Sequence, residues 1–329
     1  MNIFTDFHHT DLYNSFKFLF ENRLGHKVYR PIGMRWFTDG FWDIAKPYDN
    51  SVDTARQFLE PHNVPTDGTR PLNENLKDTV TFDEFLEMDF DVIIASIPDH
   101  WKTYTYLRDR FKPNAKVICH MGNRWENTDF GHVRNLMASV RNFRAPVENV
   151  IFYHQEFDLD IFQRSPVPKE SKLITSFLNV PQAYETYPLW KEIQPLMPDY
   201  VFEEYGAQSV DGNLDHKGIA TSMADSKFIW QVKPGGDGFG HVVHNAMAIG
   251  RVSIIRADDY KWTLAGDLLI PNTTCIDIQG LKPPQIVSTL KRHEDSASEM
   301  GEKLADMFYS KVDFENIAKR VENFLEVLV

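Results

Sequence analysis

Short apolar runs alternate with stretches of helical spacing through the first half of the chain. The amino terminus, MNIFTDF, is apolar, and HKVYRPI resumes extended structure after Gly25. Between them, apolar residues recur every three or four positions, at Leu12, Phe16, Leu19, Phe20 and Leu24. A helix is also predicted at 101–111, and further apolar runs lie at 91–97, 116–121 and 149–153. This alternation predicts parallel strands joined by right-handed crossovers, and hence a doubly wound sheet.

The same alternation restarts after a proline-marked break, SPVPKES, at 165–171. The apolar runs that follow lie at 172–178, 199–205, 226–232, 251–256 and 274–278. They predict a second Rossmann-like domain. The closing segment is predicted to be an amphipathic helix that packs on a large surface, because one face carries Phe314, Ile317, Val321, Phe324 and Leu328. We therefore divide the chain into 1–165, 166–311 and a terminal helix at 312–329.

Composition narrows the class of protein. Lys and Arg number 35 against 47 Asp and Glu, and the formal charge of −12 argues against general binding to nucleic acid. Two cysteines, Cys119 and Cys275, are too few for a disulfide framework or a four-cysteine zinc site. The amino terminus lacks the pattern of a signal peptide, and no run approaches the ~18 apolar residues of a membrane span. We expect a cytoplasmic protein.

The segment 228–255 carries the most distinctive local chemistry. A predicted buried strand runs into Lys233-Pro234-Gly235-Gly236-Asp237-Gly238-Phe239-Gly240, and a helix follows through Met247. Glycines let the backbone approach a ligand closely, and the start of a helix favours an anion. This pattern predicts a phosphate site, although a tight connection between strand and helix is the structural alternative.

This segment resembles the signature of retaining glycosyltransferases of the GT-B fold, family 4 type, in which E-G-F-G is followed by a helix with a second Glu. Asp237 stands at the first acidic position and Asn245 at the second. FYHQEFDLDIFQRSPVP at 152–168 resembles the segment that links the two domains in that family. The closing DFENIAKRVENFLEVL resembles the terminal helix that crosses back to the first domain.

The resemblance implies an α/β protein of two Rossmann-like domains facing a cleft. It implies transfer of a sugar, with retention, from a nucleoside diphosphate sugar in the second domain to an acceptor in the first, with no cofactor beyond the donor. Asp237 would accept hydrogen bonds from sugar hydroxyls, and Asn245 would hold the ribose. The other expected donor contacts are Gly235, Gly236, Gly238, Phe239, Gly240 and His241. Asp158-Leu159-Asp160 looks like the D-x-D metal motif of a different glycosyltransferase fold. It falls within the segment that resembles the domain linker, so we expect no obligatory metal.

The chain departs from the family at the basic pair that normally follows the first strand of the second domain. It reads SFLNVPQAYETYPLWKEI there, with no basic residue before Lys191. The charge of the departing diphosphate must still be stabilised if the bond is to break. We expect Lys233 to supply that charge, with Arg124 or Arg256 as further candidates.

Polar residues follow the strands of the first domain as well. His8-His9-Thr10-Asp11, Pro98-Asp99-His100 and His120-Met121-Gly122-Asn123-Arg124 come after its first, third and fourth predicted strands. A histidine can bind a sugar hydroxyl or help to deprotonate an acceptor alcohol. We therefore expect catalytic contributions from His9 and His120, and acceptor contacts from His8, Asp11, Arg124 and Trp36.

Each of these residues also has a structural interpretation. Thr10 or Asp11 can cap a helix, His120 can be a hydrogen-bonded core histidine, and the aromatic cluster around Trp36 can belong to the core. His8 and His9 can simply hydrogen-bond a neighbouring loop. A metal site of His8, His9 and Asp11 matches no standard zinc spacing.

Two other functions remain open from the sequence. A transferase that modifies DNA bases needs a basic stripe, for which the candidates are Lys27, Arg30, Arg35, Arg124, Arg134, Arg141 and Arg144. A nucleotide-sugar-binding scaffold without catalysis is the other, because Asn245 and the missing basic pair depart from the family pattern. The nucleotide base, the sugar and the acceptor are not assigned by the sequence.

Overall fold

The structure is a computed structural model, and it describes residues 1–6, 10–31, 78–80, 82–122, 133–143, 146–237 and 239–329. Two compact units form. One comprises Met1–Glu156 together with Phe314–Val329, and the other comprises Phe157–Asp313. The division after Glu156 lies ahead of the predicted break at residue 165.

The first unit is built on a parallel sheet. Its strands are β1 (Asn2–Thr5), β2 (Lys27–Pro31), β3 (Thr79–Val80), β4 (Val92–Ala95), β5 (Lys116–His120), β6 (Val133–Ala138) and β7 (Val147–Phe152). They lie in the order β3-β2-β1-β4-β5-β6-β7, and every adjacent pair is parallel. The chain therefore moves outward from β1 and then returns to β4 on its other side. The carboxyl ends of β1 and β4 flank this change of direction, where open α/β sheets bind ligands.

Described helices lie between β1 and β2, between β3 and β4, and between β4 and β5, and the apolar spacing predicts the first and the last of them. They are α1 (Thr10–Phe16), which continues as a π-helical segment at Lys17–Arg23, α2 (Phe82–Glu87) and α3 (Trp101–Phe111). Gly25 follows the first helical stretch with φ of 68°, a left-handed conformation that glycine adopts without a side-chain clash. The central strands are buried on both faces, and Phe4 packs on Phe85 with ring centroids 4.8 Å apart.

The second unit has a smaller parallel sheet. Its strands are β8 (Leu173–Ser176), β9 (Val201–Glu204), β10 (Phe228–Trp230), β11 (Val252–Ile255) and β12 (Cys275–Asp277). The order is β12-β11-β10-β8-β9, again with every adjacent pair parallel. Its helices are α4 (Tyr187–Ile193), α5 (His216–Asp225), α6 (His241–Ile249), α7 (Pro283–His293) and α8 (Ala297–Lys311). Each apolar run predicted in this half contains one strand, so the predicted second doubly wound sheet is confirmed. Strand β10 lies at its centre, between β8 and β11.

The terminal helix α9 (Phe314–Glu326) belongs to the first unit and packs against β7 and the π-helical segment. Its apolar face is buried, as predicted, because it covers the sheet edge. Arg23 binds both Glu156, at 2.5 Å, and Glu315 of α9. Arg320 donates to the backbone carbonyl of Phe152 at 2.9 Å. A carboxyl-terminal helix that returns to the first domain is therefore confirmed.

Among the described residues, no helix is both long and apolar enough to cross a membrane. Cys119 and Cys275 are buried free thiols, and burial raises the pKa of each to about 12.

Candidate functional site

The glycine-rich turn lies at the carboxyl end of β10 and leads into α6. Gly236 N–H donates to the Lys233 carbonyl at 2.9 Å, and Gly235 has φ of 74°. Proline at the second position and a positive φ at the third are the features of a type II β-turn. Gly236 also has a positive φ, of 65°, and a Cβ there would lie 2.5 Å from the carbonyl oxygen of Asp259. The turn therefore requires glycine at 236, both for its conformation and for its close packing.

Asp237 is buried at the end of this turn, with 7% of its surface exposed. One carboxylate oxygen accepts a hydrogen bond from Lys233 Nζ, and the other accepts from Gln231 Nε2 at 3.1 Å. Lys233 Nζ also lies 5.8 Å from the centroid of the Tyr184 ring. Burial lowers the pKa of Lys233, but the charge and hydrogen bond of Asp237, with a smaller effect of Tyr184, outweigh burial and raise it. The lysine is therefore a cation held by a buried carboxylate.

Three further polar side-chain atoms of the second unit are buried without a hydrogen-bond partner among the described residues. They are Gln231 Oε1, Asn245 Oδ1 and the hydroxyl of Tyr260. The Tyr260 ring borders the turn, because its Cδ1 would lie 3.6 Å from a Cβ on Gly236. Burial, with the charges of Asp237 and Asp259, raises the pKa of Tyr260 well above its ordinary value. Buried polar atoms without partners are unusual in proteins, so each of these three is a point where the described side chains leave the hydrogen bonding incomplete.

The start of α6 is shaped by Phe239 and two histidines. Phe239 is buried, stacks on His244 with centroids 4.0 Å apart, and meets His241 edge-on at 4.7 Å. His244 is fully buried, and its Nδ1 lies 2.9 Å from the Gly240 carbonyl oxygen. These contacts fix the first turn of the helix, whose start directly follows the glycine turn.

The other basic residues discussed for this domain are held by carboxylates. Arg256 Nε donates to Asp259 at 2.7 Å, and Lys191 Nζ donates to Glu204 at 3.0 Å. Glu204 also accepts from Trp190 Nε1 at 2.8 Å. Lys233 differs from Arg256 and Lys191 because it lies within the glycine turn itself. It therefore stays the candidate for contact with the diphosphate.

His120 lies at the carboxyl end of β5, as predicted, but inside the core. Its Nε2 is 2.8 Å from the Tyr153 hydroxyl, and its Nδ1 is 2.9 Å from both the Ser96 carbonyl oxygen and Gly122 N. Complete burial lowers the pKa of His120 to about 4, against an opposing effect of the hydrogen bond with Ser96. The ring is therefore a neutral, hydrogen-bonded core side chain, and the expected catalytic role is withdrawn in favour of the structural alternative.

The sequence analysis missed Asp6, which follows β1 directly. Asp6 is buried, and its Oδ2 accepts from Ser96 N and lies 2.8 Å from His100 Nδ1. His100 follows β4, so this pair lies at the point where the sheet changes direction. The sequence carries one signal for this residue, an aspartate immediately after the first buried strand.

Asp11 lies half-buried in the first turn of α1, the position expected of a residue that stabilises a helix start. The remaining predicted site residues lie outside the described residues, namely His8, His9, Trp36, Arg124 and Gly238.

The basic stripe required by a DNA-modifying enzyme is not assembled by the described residues. Arg30 is buried, with its guanidinium 4.4 Å from the centroid of the Tyr13 ring. Lys27 and Arg134 lie at the amino ends of β2 and β6, the edge of the sheet opposite Asp6. Arg141 follows the carboxyl end of β6, and Arg35, Arg124 and Arg144 lie outside the described residues.

The part of the chain that the structure describes contains no cluster of three or more His, Cys, Asp or Glu side chains arranged to hold a metal ion.

Several solved structures resemble this chain in fold. HepE from Anabaena in complex with UDP-glucose matches with a TM-score of 0.63 and 12% identity over 100% of both chains. An α-glucosyltransferase in complex with UDP and a 13-mer DNA containing an HMU base matches with a TM-score of 0.60 and 10% identity over 99% of both. TarM matches with a TM-score of 0.51 and 14% identity over 71% of this chain, which spans 54% of TarM. No protein-family model and no curated protein sequence matches. The chain has the GT-B fold, and the predicted fold class is confirmed.

Gly236→Ala should destabilise the second unit by about 2–4 kcal/mol, because the new Cβ meets backbone at a left-handed position. Gly212→Ala is the matched control, since its φ is 80° but nothing lies within 4 Å of its Cβ, and it should cost about 1 kcal/mol. Urea unfolding of both variants measures the difference. Equal losses would show that Gly236 is needed for its conformation alone.

Protonation of His120 should make stability depend on pH. Its pKa is about 4 in the folded chain against 6.5 for an ordinary histidine, so between these values the unfolded chain binds a proton that the folded chain does not. Stability should therefore fall as pH drops from 6.5 to 4, by on the order of 2–3 kcal/mol. Urea unfolding at several pH values should show this loss in the wild type and a smaller one in His120→Gln. Identical pH dependence in the two proteins would refute the assignment.

Proposed function

We propose that this protein is a glycosyltransferase that moves a sugar from a nucleoside diphosphate sugar to an acceptor hydroxyl. The observation that carries the proposal is the buried carboxylate of Asp237 in a glycine turn, at the carboxyl end of the central strand of a GT-B second domain. A buried carboxylate beside a helix start suits a ligand that combines hydroxyl donors with an anion.

Each part of the donor has a complementary group in this site. Asp237 accepts hydrogen bonds from sugar hydroxyls, and the amide of Asn245 holds the ribose hydroxyls. The backbone at the start of α6 and the cation of Lys233 bind the diphosphate. UDP is the first nucleotide to test, because HepE and the α-glucosyltransferase were solved with UDP-glucose and UDP.

During transfer, the bond from the anomeric carbon to the diphosphate oxygen breaks while the acceptor oxygen bonds to that carbon. Negative charge grows on the departing diphosphate, where a positioned cation lowers the barrier, and Lys233 is our candidate for it. The resemblance of segment 228–255 to retaining enzymes supports displacement on the same face, in which the departing phosphate takes the acceptor proton. The donor is then the only small molecule that the reaction needs, with no obligatory metal.

On the acceptor side, the pair of Asp6 and His100 replaces His120 in our proposal. A carboxylate that holds one ring nitrogen fixes the orientation of an imidazole, so that the ring can position an acceptor hydroxyl. Asp6 acts here as a positioning residue, and His100 contacts the acceptor.

A scaffold that binds nucleotide sugars without catalysis is the second candidate. It is favoured by the amide of Asn245 at a position that resembles an acidic one, and by the engagement of Arg256 and Lys191 with carboxylates. Donor binding without transfer or hydrolysis across a broad set of acceptors would support it.

The donor site predicts a specific pattern of thermal stabilisation with UDP-, GDP-, ADP- and TDP-sugars and the free diphosphates. One nucleotide should raise the melting temperature by several degrees at about 100 times its Kd.

Asp237→Ala should lower transfer by about a hundredfold or more while the protein remains folded. Asp258→Ala, which removes an exposed carboxylate nearby, should leave transfer unchanged. Normal turnover in Asp237→Ala would remove Asp237 from the site.

The acceptor site predicts that His100→Ala lowers transfer by about tenfold or more, because the hydroxyl is no longer positioned. Donor binding, measured by thermal shift, should stay as in the wild type. His26→Ala is the matched control, since His26 precedes β2 at the opposite edge of the same sheet. A loss of donor binding in His100→Ala, or wild-type transfer rates, would contradict this role.

A further inference from the structure

The two charged groups that the proposed function assigns to the donor bind each other inside the turn. Lys233 Nζ donates to one oxygen of Asp237, and the two side chains are 25% and 9% exposed. The other oxygen of Asp237 accepts from Gln231 Nε2 at 3.1 Å. A diphosphate that attracts Lys233 therefore competes with Asp237 for the same cation.

Separating this pair is costly unless both partners gain new ones. If Lys233 turns to a diphosphate, the Asp237 carboxylate keeps the single described hydrogen bond from Gln231 in a buried site. A buried charge that loses its partner is strongly unfavourable. Hydroxyl groups can replace the lysine, because a carboxylate oxygen accepts several hydrogen bonds.

We propose that the ion pair between Lys233 and Asp237 makes the site select an intact nucleotide sugar over the free nucleoside diphosphate. The diphosphate binds Lys233 while the sugar hydroxyls donate hydrogen bonds to Asp237. The two halves of the donor together therefore offset the cost of separating the ion pair. A free diphosphate takes the lysine and leaves the carboxylate without a replacement, and it binds more weakly. This inference rests on the proposed function and assigns Lys233 and Asp237 a joint role in specificity.

The same exchange favours departure of the product. Once the sugar has left for the acceptor, nothing donates hydrogen bonds to Asp237 except Gln231 and Lys233. The carboxylate then competes with the diphosphate for the lysine, which weakens the binding of the remaining nucleotide. Binding of the sugar portion and of the diphosphate are therefore linked, and the linkage is reciprocal.

Calorimetric titration of UDP and UDP-glucose into four proteins tests this exchange. They are the wild type, Asp237→Asn, Lys233→Met and the double variant. A fifth protein, Asp258→Asn, is the control for loss of a nearby exposed charge. Asp237→Asn frees the lysine, so its affinity for UDP should rise about tenfold and its preference for UDP-glucose should shrink. In the Lys233→Met background, the same Asp237→Asn change should give little or no gain in UDP affinity.

Simple repulsion between Asp237 and the diphosphate predicts a different pattern. If repulsion alone acts, Asp237→Asn raises UDP affinity at least as much in the Lys233→Met background as in the wild type. A tenfold rise in the double variant relative to Lys233→Met would therefore overturn the exchange. An unchanged or lower UDP affinity in Asp237→Asn, with UDP-glucose still bound by the wild type, would also overturn it and leave the proposed function standing. If the wild type binds none of UDP, GDP, ADP and TDP and none of their sugars, both the exchange and the proposed function are overturned.

A second measurement uses the wild type alone and does not depend on how the variants fold. Excess glucose supplies hydroxyl groups to Asp237, so the affinity of the wild type for UDP should rise several-fold in its presence. Excess glycerol at the same concentration controls for bulk effects of a polyol. Equal UDP affinity in glucose and glycerol would overturn the exchange.

Discussion

The packing of Gly236 against the backbone carbonyl of Asp259 is the constraint on which the candidate site depends. It holds the turn after β10 against the chain that follows β11, at a distance that leaves no room for a Cβ. Because the turn takes this path, Asp237 is carried into a buried position next to Gln231 and Tyr260. The helix α6 then starts from a fixed point, with Phe239 packed on its two histidines.

Burial of charge imposes a second condition on this unit. A buried carboxylate needs a cation or several hydrogen-bond donors, and the buried Asp237 and Glu204 each receive a basic partner, as does the partly buried Asp259. Lys233, Arg256 and Lys191 are therefore each paired with a carboxylate before any anionic ligand binds. An anionic ligand must compete with a carboxylate for its cation. Its affinity therefore depends on whether it also carries hydrogen-bond donors for the carboxylate that loses the cation.

The apolar pattern was enough to predict most of the fold. Fully buried strands such as β4 and β11 consist of consecutive apolar residues, because helices cover both faces of a parallel sheet. Strand β6 escaped prediction since Arg134 and Asn135 interrupt its apolar run. Asn135 is nevertheless buried, and its amide donates to the carbonyls of Val117 at 2.8 Å and Val329 at 3.0 Å. Those partners lie 18 and 194 residues away, so only the folded chain reveals why a polar residue is stable there.

The sequence by itself determined the two sheets, the terminal helix and the turn that holds Asp237. These features follow from the spacing of apolar residues and from glycine and proline, which act over a few neighbouring residues. Only the tertiary structure decided which histidine belongs to the core and which lies at the edge of the sheet. His120 and His100 look alike in the sequence, since both follow buried strands. They differ because Tyr153 and Ser96 hydrogen-bond the first ring inside the core, whereas Asp6, 94 residues earlier in the chain, holds the second.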